Sequence, residues 1–399
     1  MNIRKADLRD RPAAESLWAY CFEKPSDPFF QWYFSDVCRM DEVLLGESGG
    51  RTACSLHRRP YSLSLRGRVM PVDYLVGVAT HPAARGRGMA GRLLEGAFRT
   101  ADEEGKPAVI LMPSDAALYS KAGFAFYAHQ WRREAAPERL APLGRRSSRS
   151  GVPDSSGDWA DMDDIYRDYT AGRQGWALRD EAFWKLHLEG QMKEGYAAVV
   201  YGDTGPSGYL WYSIEDRVMT VSEMAFRGEE GRRGLYAYMA GHRGSVDRCI
   251  WYEPLDDRSF LYWQDGAEHT YIENRTFPFM MCRLTDPSAA FSGCACPPDM
   301  TGGVTLALED PVLRDKSGLY RLSCENGMIT AERALQGEPA LCLREEGAAQ
   351  MLFGAASVEE LLRRGWAESV SRRESSFREA VNWLSRAFPR RRTWINEWY

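Results

Sequence analysis

The sequence predicts an α/β (α+β) protein, with mixed sheets flanked by helices, on three observations. The chain has 399 residues, and a typical domain holds roughly 150, so two or three domains are expected. The first third has the order strand, glycine loop, helix, strand and short helix. The last third places strands before helices. Both orders are typical of β-sheets that bury a face against helices.

Local patterns predict the α/β unit of the first third. Strand-forming residues precede a turn, apolar residues then recur at helical spacing up to Gly105, and a second apolar strand ends before Pro113. Ser114 is the expected N-cap of the last helix, and Gly123 is its expected end. The predicted elements are a strand at 73–80, a helix from Met89, a strand at 108–112 and a helix at 115–121.

A glycine-rich loop, Arg85-Gly-Arg-Gly-Met-Ala90, joins the first predicted strand to the first helix. Free backbone N–H groups and the positive end of a helix dipole meet at such a junction, so the loop is suited to an anion such as phosphate. A tight turn with solvated arginines is the alternative interpretation. The string Gly86-x-Gly88-x-x-Gly91 also fits a dinucleotide fingerprint, but it follows an internal strand and no carboxylate is placed to bind a ribose.

The charge balance argues against nucleic acid and anionic membranes as partners. The formal net charge of the chain is −5, whereas proteins that bind polyanions non-specifically are usually basic. The first 136 residues hold 19 basic and 16 acidic residues, a charge of +3, which leaves −8 for the remainder. The basic third suits an anionic cofactor, and the acidic remainder suits a cationic partner.

The chain is expected to be cytoplasmic, with reduced cysteines. Its first residues lack the apolar stretch of a secretory signal, and no segment approaches the ~20 apolar residues of a membrane span. Nine cysteines, an odd number, are scattered along the chain, which is typical of buried thiols rather than a disulfide framework. The close pair Cys294-Ala-Cys296 lacks the spacing of a zinc site, so no metal is expected.

Two stretches of the first third resemble the GNAT superfamily of N-acetyltransferases. Arg85-x-x-Gly88-x-Ala90 is similar to the loop that binds the pyrophosphate of acyl-CoA, and Tyr119-x-x-x-Gly123-Phe124 is similar to the ending of the helix that follows. The resemblance implies acetyl-CoA as cofactor and Tyr119 as general acid. It also implies the cofactor-binding positions Val78, Ala79, Thr80, Arg85, Gly86, Arg87, Gly88, Met89 and Ala90.

The whole chain resembles the Eis family of multi-acetylating N-acetyltransferases. The resemblance implies a catalytic GNAT domain at 1–136, a degenerate GNAT domain at 137–285 and a sterol-carrier-like domain at 286–399. In the second domain, Gly231–Tyr236 opens a helix where a second glycine loop would stand. Compared with Arg85-x-x-Gly88-x-Ala90, this stretch has Gly231 in place of the leading Arg and the bulky Tyr236 in place of the small Ala. We therefore expect this second loop to bind no cofactor. The family resemblance also implies a hexamer.

The third domain is predicted from turn and cap signals. Asn326-Gly327 predicts a hairpin between strands, and Ser357 with Glu360 forms a capping box that opens a helix. In the family the chain ends at the active site, which implies that the terminal carboxylate of Tyr399 acts as a relay or binds the substrate ammonium. Packing of this aromatic tail onto its own domain is the alternative.

The acceptor pocket is expected near the N-terminal helices, where aromatic and acidic residues mix. Aromatic faces and carboxylates suit a polycationic amine, and Asp27 and Trp32 are the candidate contacts. An amphipathic helix with core aromatics is the alternative. With these observations, the family resemblance implies acetyl transfer to primary amines such as those of aminoglycosides, polyamines or lysine side chains. A lipid- or ligand-binding protein, with a vestigial GNAT part, is the second hypothesis.

Overall fold

A computed structural model describes residues 2–145, 149–152, 159–263 and 272–398. The first third contains six strands and four α-helices. The strands are β1 (Asn2–Lys5), β2 (Val43–Ser48), β3 (Arg51–Leu65), β4 (Arg68–Thr80), β5 (Ala108–Leu111) and β6 (Ala125–Ala135). The helices are α1 (Arg11–Cys21), α2 (Pro28–Trp32), α3 (Met89–Glu103) and α4 (Ala116–Ser120).

The remaining elements follow in the same chain order. The central part holds α5 (Pro137–Leu140), β7 (Arg149–Gly151), α6 (Trp159–Thr170), β8 (Trp176–Ala177), α7 (Glu181–Glu194), β9 (Tyr196–Gly202), β10 (Gly205–Glu215), β11 (Val218–Phe226), α8 (Gly228–Ala240), β12 (Arg248–Pro254) and β13 (Glu273–Leu284). The last part holds α9 (Pro287–Phe291), β14 (Gly303–Glu309), β15 (Gly318–Glu325), β16 (Met328–Ala334), β17 (Leu341–Arg344), α10 (Glu345–Phe353), α11 (Val358–Arg364), β18 (Ala367–Ser369) and α12 (Glu374–Ala387).

One large sheet joins the first two thirds of the chain. Its order is β1-β2-β3-β4-β5-β13-β6-β12-β11-β10-β9-β7, with β8 paired to β3. Strand β13 of the central part lies between β5 and β6 of the first part, and β6 pairs with β12. The two parts therefore exchange their last strands, an arrangement that local sequence patterns do not reveal.

The last part of the chain forms a smaller sheet with helices packed on it. Its five strands have the order β16-β15-β14-β17-β18. The predicted hairpin is confirmed, because Asn326 and Gly327 both have positive φ, 51° and 75°, between β15 and β16. The capping box is confirmed as well, with the Ser357 side chain accepting from the Glu360 N–H at the start of α11.

The helices that flank the glycine loop follow the prediction with small corrections. Helix α3 begins at Met89, and the first predicted strand is the end of the longer β4. The N-cap of α4 is Asp115 rather than Ser114, because an Asp115 carboxylate oxygen accepts from the Ala117 N–H at 3.0 Å. Gly123 has a φ of +85° just after α4, as its predicted role requires.

The second glycine stretch does not open a helix. Helix α8 starts at Gly228, so Gly231–Tyr236 lies inside it. A Cβ at Gly231 would overlap the carbonyl oxygen of Ser207, and this glycine therefore lets α8 pack against β10. Tyr236 is fully buried in the core of the central part.

The expectation that every cysteine is reduced is wrong at two positions. Cys296 and Cys324 form a disulfide. They are close because the Cys296 N–H donates to the carbonyl of Gly327, in the turn that follows Cys324, at 2.9 Å. Within the described ranges, no group of three His, Cys, Asp or Glu side chains could hold a metal ion. No helix in the same ranges is long and apolar enough to cross a membrane.

Candidate active site

Strand β4 loses its neighbour on one side halfway along its length. It pairs in parallel with β5 only at Val72, Asp73 and Tyr74, and β5 ends at Leu111. No described strand pairs with β4 on that side between Tyr74 and Thr80. Backbone N–H and C=O groups along the free edge of a strand can bind a ligand in the way that a neighbouring strand would.

A bulge shapes this unpaired part of β4. The register against β3 shifts between His57 and Ser55, opposite Gly77 and Val78, which leaves one extra residue on β4. Gly77 has a φ of +60°, and a Cβ there would overlap the ring of Trp18. Only glycine meets both requirements without strain. The bulge therefore fixes the backbone at Val78, one of the predicted cofactor-binding positions.

The predicted glycine loop is exposed and open. Arg85–Gly88 lies on the surface between a 3-10 turn and the N-terminus of α3. Gly86 and Gly88 have φ values of +74° and +70°, and a Cβ on either would meet nothing within 4 Å. The Arg85 side chain donates to the carbonyl of Thr80 at 3.2 Å, which ties the loop to the end of β4. The arrangement presents open backbone and positive charge at a helix N-terminus, as an anion site requires.

Helix α3 holds the last two predicted cofactor positions. Met89 is buried in the apolar cluster beneath the helix, and Ala90 is half-buried beside the loop. Helix α3 runs for 15 residues from its N-cap Gly88, so its dipole points toward the loop. The structure thus brings Val78–Thr80 and Arg85–Ala90 together at the end of β4.

Tyr119 is buried on α4, next to this region. Its side chain is 5 % exposed and belongs to the same apolar cluster as Leu75, with its ring edge-on to Phe124 at 6.0 Å between centroids. Burial raises the pKa of the phenol, and a hydrogen bond with Ser114 opposes that rise. The hydroxyl therefore stays protonated near neutral pH and can serve as a donor.

A cavity of about 220 Å³ lies between the N-terminal helices, the central part of the chain and the C-terminal tail. Its walls mix aromatic rings with charged and polar groups, among them Phe29, Trp32, Arg179, His187, Glu194, Trp211, Glu223, Asn396, Glu397 and Trp398. Trp32 therefore lines a cavity, and its contact with an acceptor stays a prediction. Its ring packs beside Gly190, where a Cβ would lie 2.6 Å from it.

Asp27 stands beside the cavity rather than in its wall. Asp27 and Glu194 both accept from the Phe29 N–H, at 2.9 and 3.0 Å, so the two carboxylates are neighbours. Burial, followed by the contact with Asp27, raises the pKa of Glu194. A cation held between these carboxylates would relieve the repulsion.

The sequence did not predict the cluster of Arg179, Glu223 and Glu397 in the cavity wall. Arg179 forms buried ion pairs with Glu223 at 2.6 Å and with Glu397 at 2.8 Å. Glu223 also accepts from the Tyr209 hydroxyl. Burial raises the pKa of Glu397 to about 7. These residues lie in separate segments and carry no local pattern, so the sequence offers no signal for them.

Tyr74 joins the cavity to the unpaired part of β4. Its hydroxyl donates to the backbone carbonyl of Glu397 at 2.9 Å, and Tyr74 is the last β4 residue that pairs with β5. The tail is further held by Gln130, which donates to the carbonyl of Ile395 at 2.9 Å. The tail thus docks between the two GNAT-like parts rather than only on its own domain. Tyr399 itself lies outside the described residues.

Comparisons with known proteins assign most of the chain to domain families. Residues 2–127 and 175–284 match two acetyltransferase (GNAT) domain families, and residues 287–396 match the sterol carrier protein domain family. Comparison with curated protein sequences finds no match.

Three solved structures share the fold over the whole chain. A GCN5-related N-acetyltransferase from Anabaena variabilis has a TM-score of 0.83 and 17% sequence identity, with 100% of both chains covered. A probable N-acyltransferase from Enterococcus faecalis has a TM-score of 0.86 and 15% identity, with 100% of this chain and 99% of that chain covered. Eis1 from Mycobacterium abscessus has a TM-score of 0.75 and 16% identity, with 100% of both chains covered. The chain therefore belongs to the GNAT superfamily of acyltransferases, with two GNAT domains followed by a sterol carrier protein domain, and it shares its overall fold with Eis1.

Proposed function

We propose that the protein transfers the acetyl group of acetyl-CoA to primary amines of a polycationic acceptor, such as an aminoglycoside, a polyamine or a lysine side chain. The observation that carries the proposal is the open loop Arg85–Gly88, placed where β4 has lost its partner. A phosphate-bearing cofactor fits the loop. A cavity lined by Glu194, Glu223 and Glu397, which Tyr74 links to the same strand, supports an amine as acceptor.

The loop and the strand edge would hold the cofactor. Acetyl-CoA, when bound, supplies an acetyl group activated as a thioester. The space around Gly86 and Gly88 is open at the start of α3, so the backbone N–H groups of this loop would suit the pyrophosphate. Among the backbone N–H groups of Val78, Ala79 and Thr80, those on the unpaired side of β4 would stabilise negative charge that develops on the acetyl oxygen.

Tyr119 would donate to the sulfur as the C–S bond breaks and the N–C bond forms. A thiol has a reference pKa of ~8.5 and a phenol one of ~10, and burial raises the pKa of Tyr119 further. Full proton transfer to the thiolate is therefore uphill. Tyr119 acts first as a hydrogen-bond donor and gives up its proton late, to be reprotonated from solvent.

The cavity would bind the acceptor. Alkyl ammonium groups have a pKa of ~10.4 and must lose a proton before they attack. Glu194, with Asp27 beside it, offers a carboxylate to an ammonium group, while Trp32 and Trp211 offer aromatic faces. The α-carboxylate of Tyr399 is the proposed relay, from the family resemblance. Deleting Tyr399 should cripple turnover and leave acetyl-CoA affinity nearly intact, and normal kcat would contradict that role.

An acceptor screen tests the proposed function. Purified protein and acetyl-CoA are mixed with spermidine, kanamycin or a lysine peptide, and with a neutral diol as the matched control. Release of CoA thiol and a mass increase of one acetyl group per modified amine are expected only with the amines. Thiol release with none of the amines would contradict the proposal. Lack of acetyl-CoA binding by calorimetry would favour ligand binding by the third domain instead.

A further inference from the structure

A groove of about 710 Å³ runs along α3 from the glycine loop. Its wall on α3 extends from Gly88 to Arg99, a length of ~16 Å at the helical rise per residue. The facing walls come from α4 and from the segment 311–315 of the sterol carrier protein domain. The groove therefore begins at the proposed pyrophosphate site and ends against another domain.

The segment from the third domain is firmly fixed. Leu313 is 1 % exposed and belongs to the apolar cluster of α3, together with Leu94 and Phe98. Asp310 accepts from the N–H groups of Val312 and Leu313, at 2.9 and 2.8 Å. Burial of Leu313 in the first domain holds the exposed Arg314 at the groove.

The groove has an excess of positive charge. Arg92, Lys121 and Arg314 line it, and within the described part of the chain none of the three lies within 4.0 Å of a carboxylate, the limit for an ion pair. The two acidic residues of the groove, Glu95 and Asp315, both pair with Arg99 at 3.1 Å. Three cations thus remain for an anionic ligand, in a chain whose net charge is −5.

Apolar surface accompanies these cations. Leu118 on α4 is 38 % exposed, and Pro311 and Val312 lie in the opposite wall. A planar base between apolar walls buries its faces favourably. The combination of an apolar slot and three cations suits a phosphorylated nucleoside.

We propose that this groove binds the 3′-phosphorylated adenosine end of coenzyme A, and that Arg314 of the sterol carrier protein domain contacts the 3′-phosphate together with Arg92 and Lys121. The proposal rests on the proposed function, since it takes the pyrophosphate at Arg85–Gly88 as its starting point. It makes the third domain part of the cofactor site. Exposed charge pairs are individually weak, but three of them around one dianion give a measurable preference.

Calorimetry with CoA and 3′-dephospho-CoA at one fixed ionic strength tests this proposal, because the two ligands differ only in the 3′-phosphate. The protein should bind CoA about tenfold more tightly than 3′-dephospho-CoA. Arg314→Gln should reduce that ratio to about threefold by weakening CoA alone, and adding Lys121→Gln should bring it close to one. Arg321→Gln, an exposed arginine of β15 outside the groove, is the matched control and should keep the full ratio.

Two results would overturn the proposal in distinguishable ways. Equal binding of both ligands by the unchanged protein, or an unchanged ratio in the Arg314 variants, removes the groove proposal and leaves the proposed function standing. If neither ligand binds, the proposed function fails as well. Because Arg314 is exposed, its variants should melt at the temperature of the unchanged protein, so a lost preference cannot be traced to unfolding.

Discussion

Replacing Tyr74 by Phe should loosen the C-terminal tail while leaving the cofactor site intact. The Tyr74 hydroxyl is fully buried and donates to the carbonyl of Glu397 at 2.9 Å. Phe keeps the ring, so no cavity forms, but the buried carbonyl loses a donor, which costs about 1–3 kcal/mol. If that cost falls on the docked tail, kcat/KM for the amine should drop roughly tenfold or more. The affinity for acetyl-CoA should not change.

Tyr127→Phe is the matched control for this prediction. Tyr127 is also buried, at 3 % exposure, but its hydroxyl has no hydrogen-bond partner among the described residues. Removing an unpaired buried hydroxyl should leave the free energy of unfolding unchanged or raise it slightly. Urea unfolding and amine kinetics on both variants provide the comparison. Equal effects of the two substitutions, or no effect of Tyr74→Phe on the amine kinetics, would refute the reasoning.

Three further predictions concern the catalytic acid, the bulge and pH. Tyr119→Phe should lower kcat by about 10²-fold or more with acetyl-CoA affinity retained, measured by steady-state kinetics and calorimetry; an unchanged kcat would exclude Tyr119 as the acid. Gly77→Ala combines a positive φ with an overlap on the Trp18 ring and should lower the free energy of unfolding by about 2–5 kcal/mol. Gly86→Ala has a similar φ but open space around the new Cβ, so it should lower that free energy by about 1–2 kcal/mol. Equal losses would contradict the packing argument. Burial raises the pKa of Glu397 to about 7, so its negative charge is present above that pH and is lost below it. KM for the amine should therefore rise as the pH falls from 8 to 6, and Glu397→Gln should flatten this pH dependence. The same slope of KM against pH in both proteins would contradict the prediction.

The local structure on the proposed cofactor side of the site could be predicted because its signals are local. A glycine loop between a strand and an amphipathic helix stands in consecutive residues, and Gly86 and Gly88 adopt the positive φ that glycine permits. Tyr119 is implied by the family resemblance of Tyr119-x-x-x-Gly123-Phe124, and Gly123 closes α4 as predicted. Turn, cap and helix signals depend on residues within a few positions, so they do not depend on how distant segments of the chain pack.

The acceptor side could be predicted only in part, because it is assembled from distant segments. Arg179 lies 44 residues from Glu223 and 218 from Glu397, and each is an ordinary charged residue in its own segment. The aromatic and acidic composition of the N-terminal helices predicted Trp32 and Asp27 as acceptor contacts. In the structure Trp32 lines the cavity and Asp27 lies beside it, and both contacts stay predictions. The exchange of β6 and β13 has no local sequence signal either, because it depends on pairing between residues more than 130 positions apart in the chain.

In the proposed function, one site joins the loop at Arg85–Gly88 to the cavity at Glu194 and Glu397. A crystal structure of the protein with CoA and spermidine, which cannot react together, tests this most directly. We expect the pyrophosphate on the backbone of Arg85–Gly88, the sulfur end beside Val78 and Tyr119, and a spermidine amine in the cavity beside Glu194. Pyrophosphate bound elsewhere, or spermidine bound outside that cavity, would contradict it.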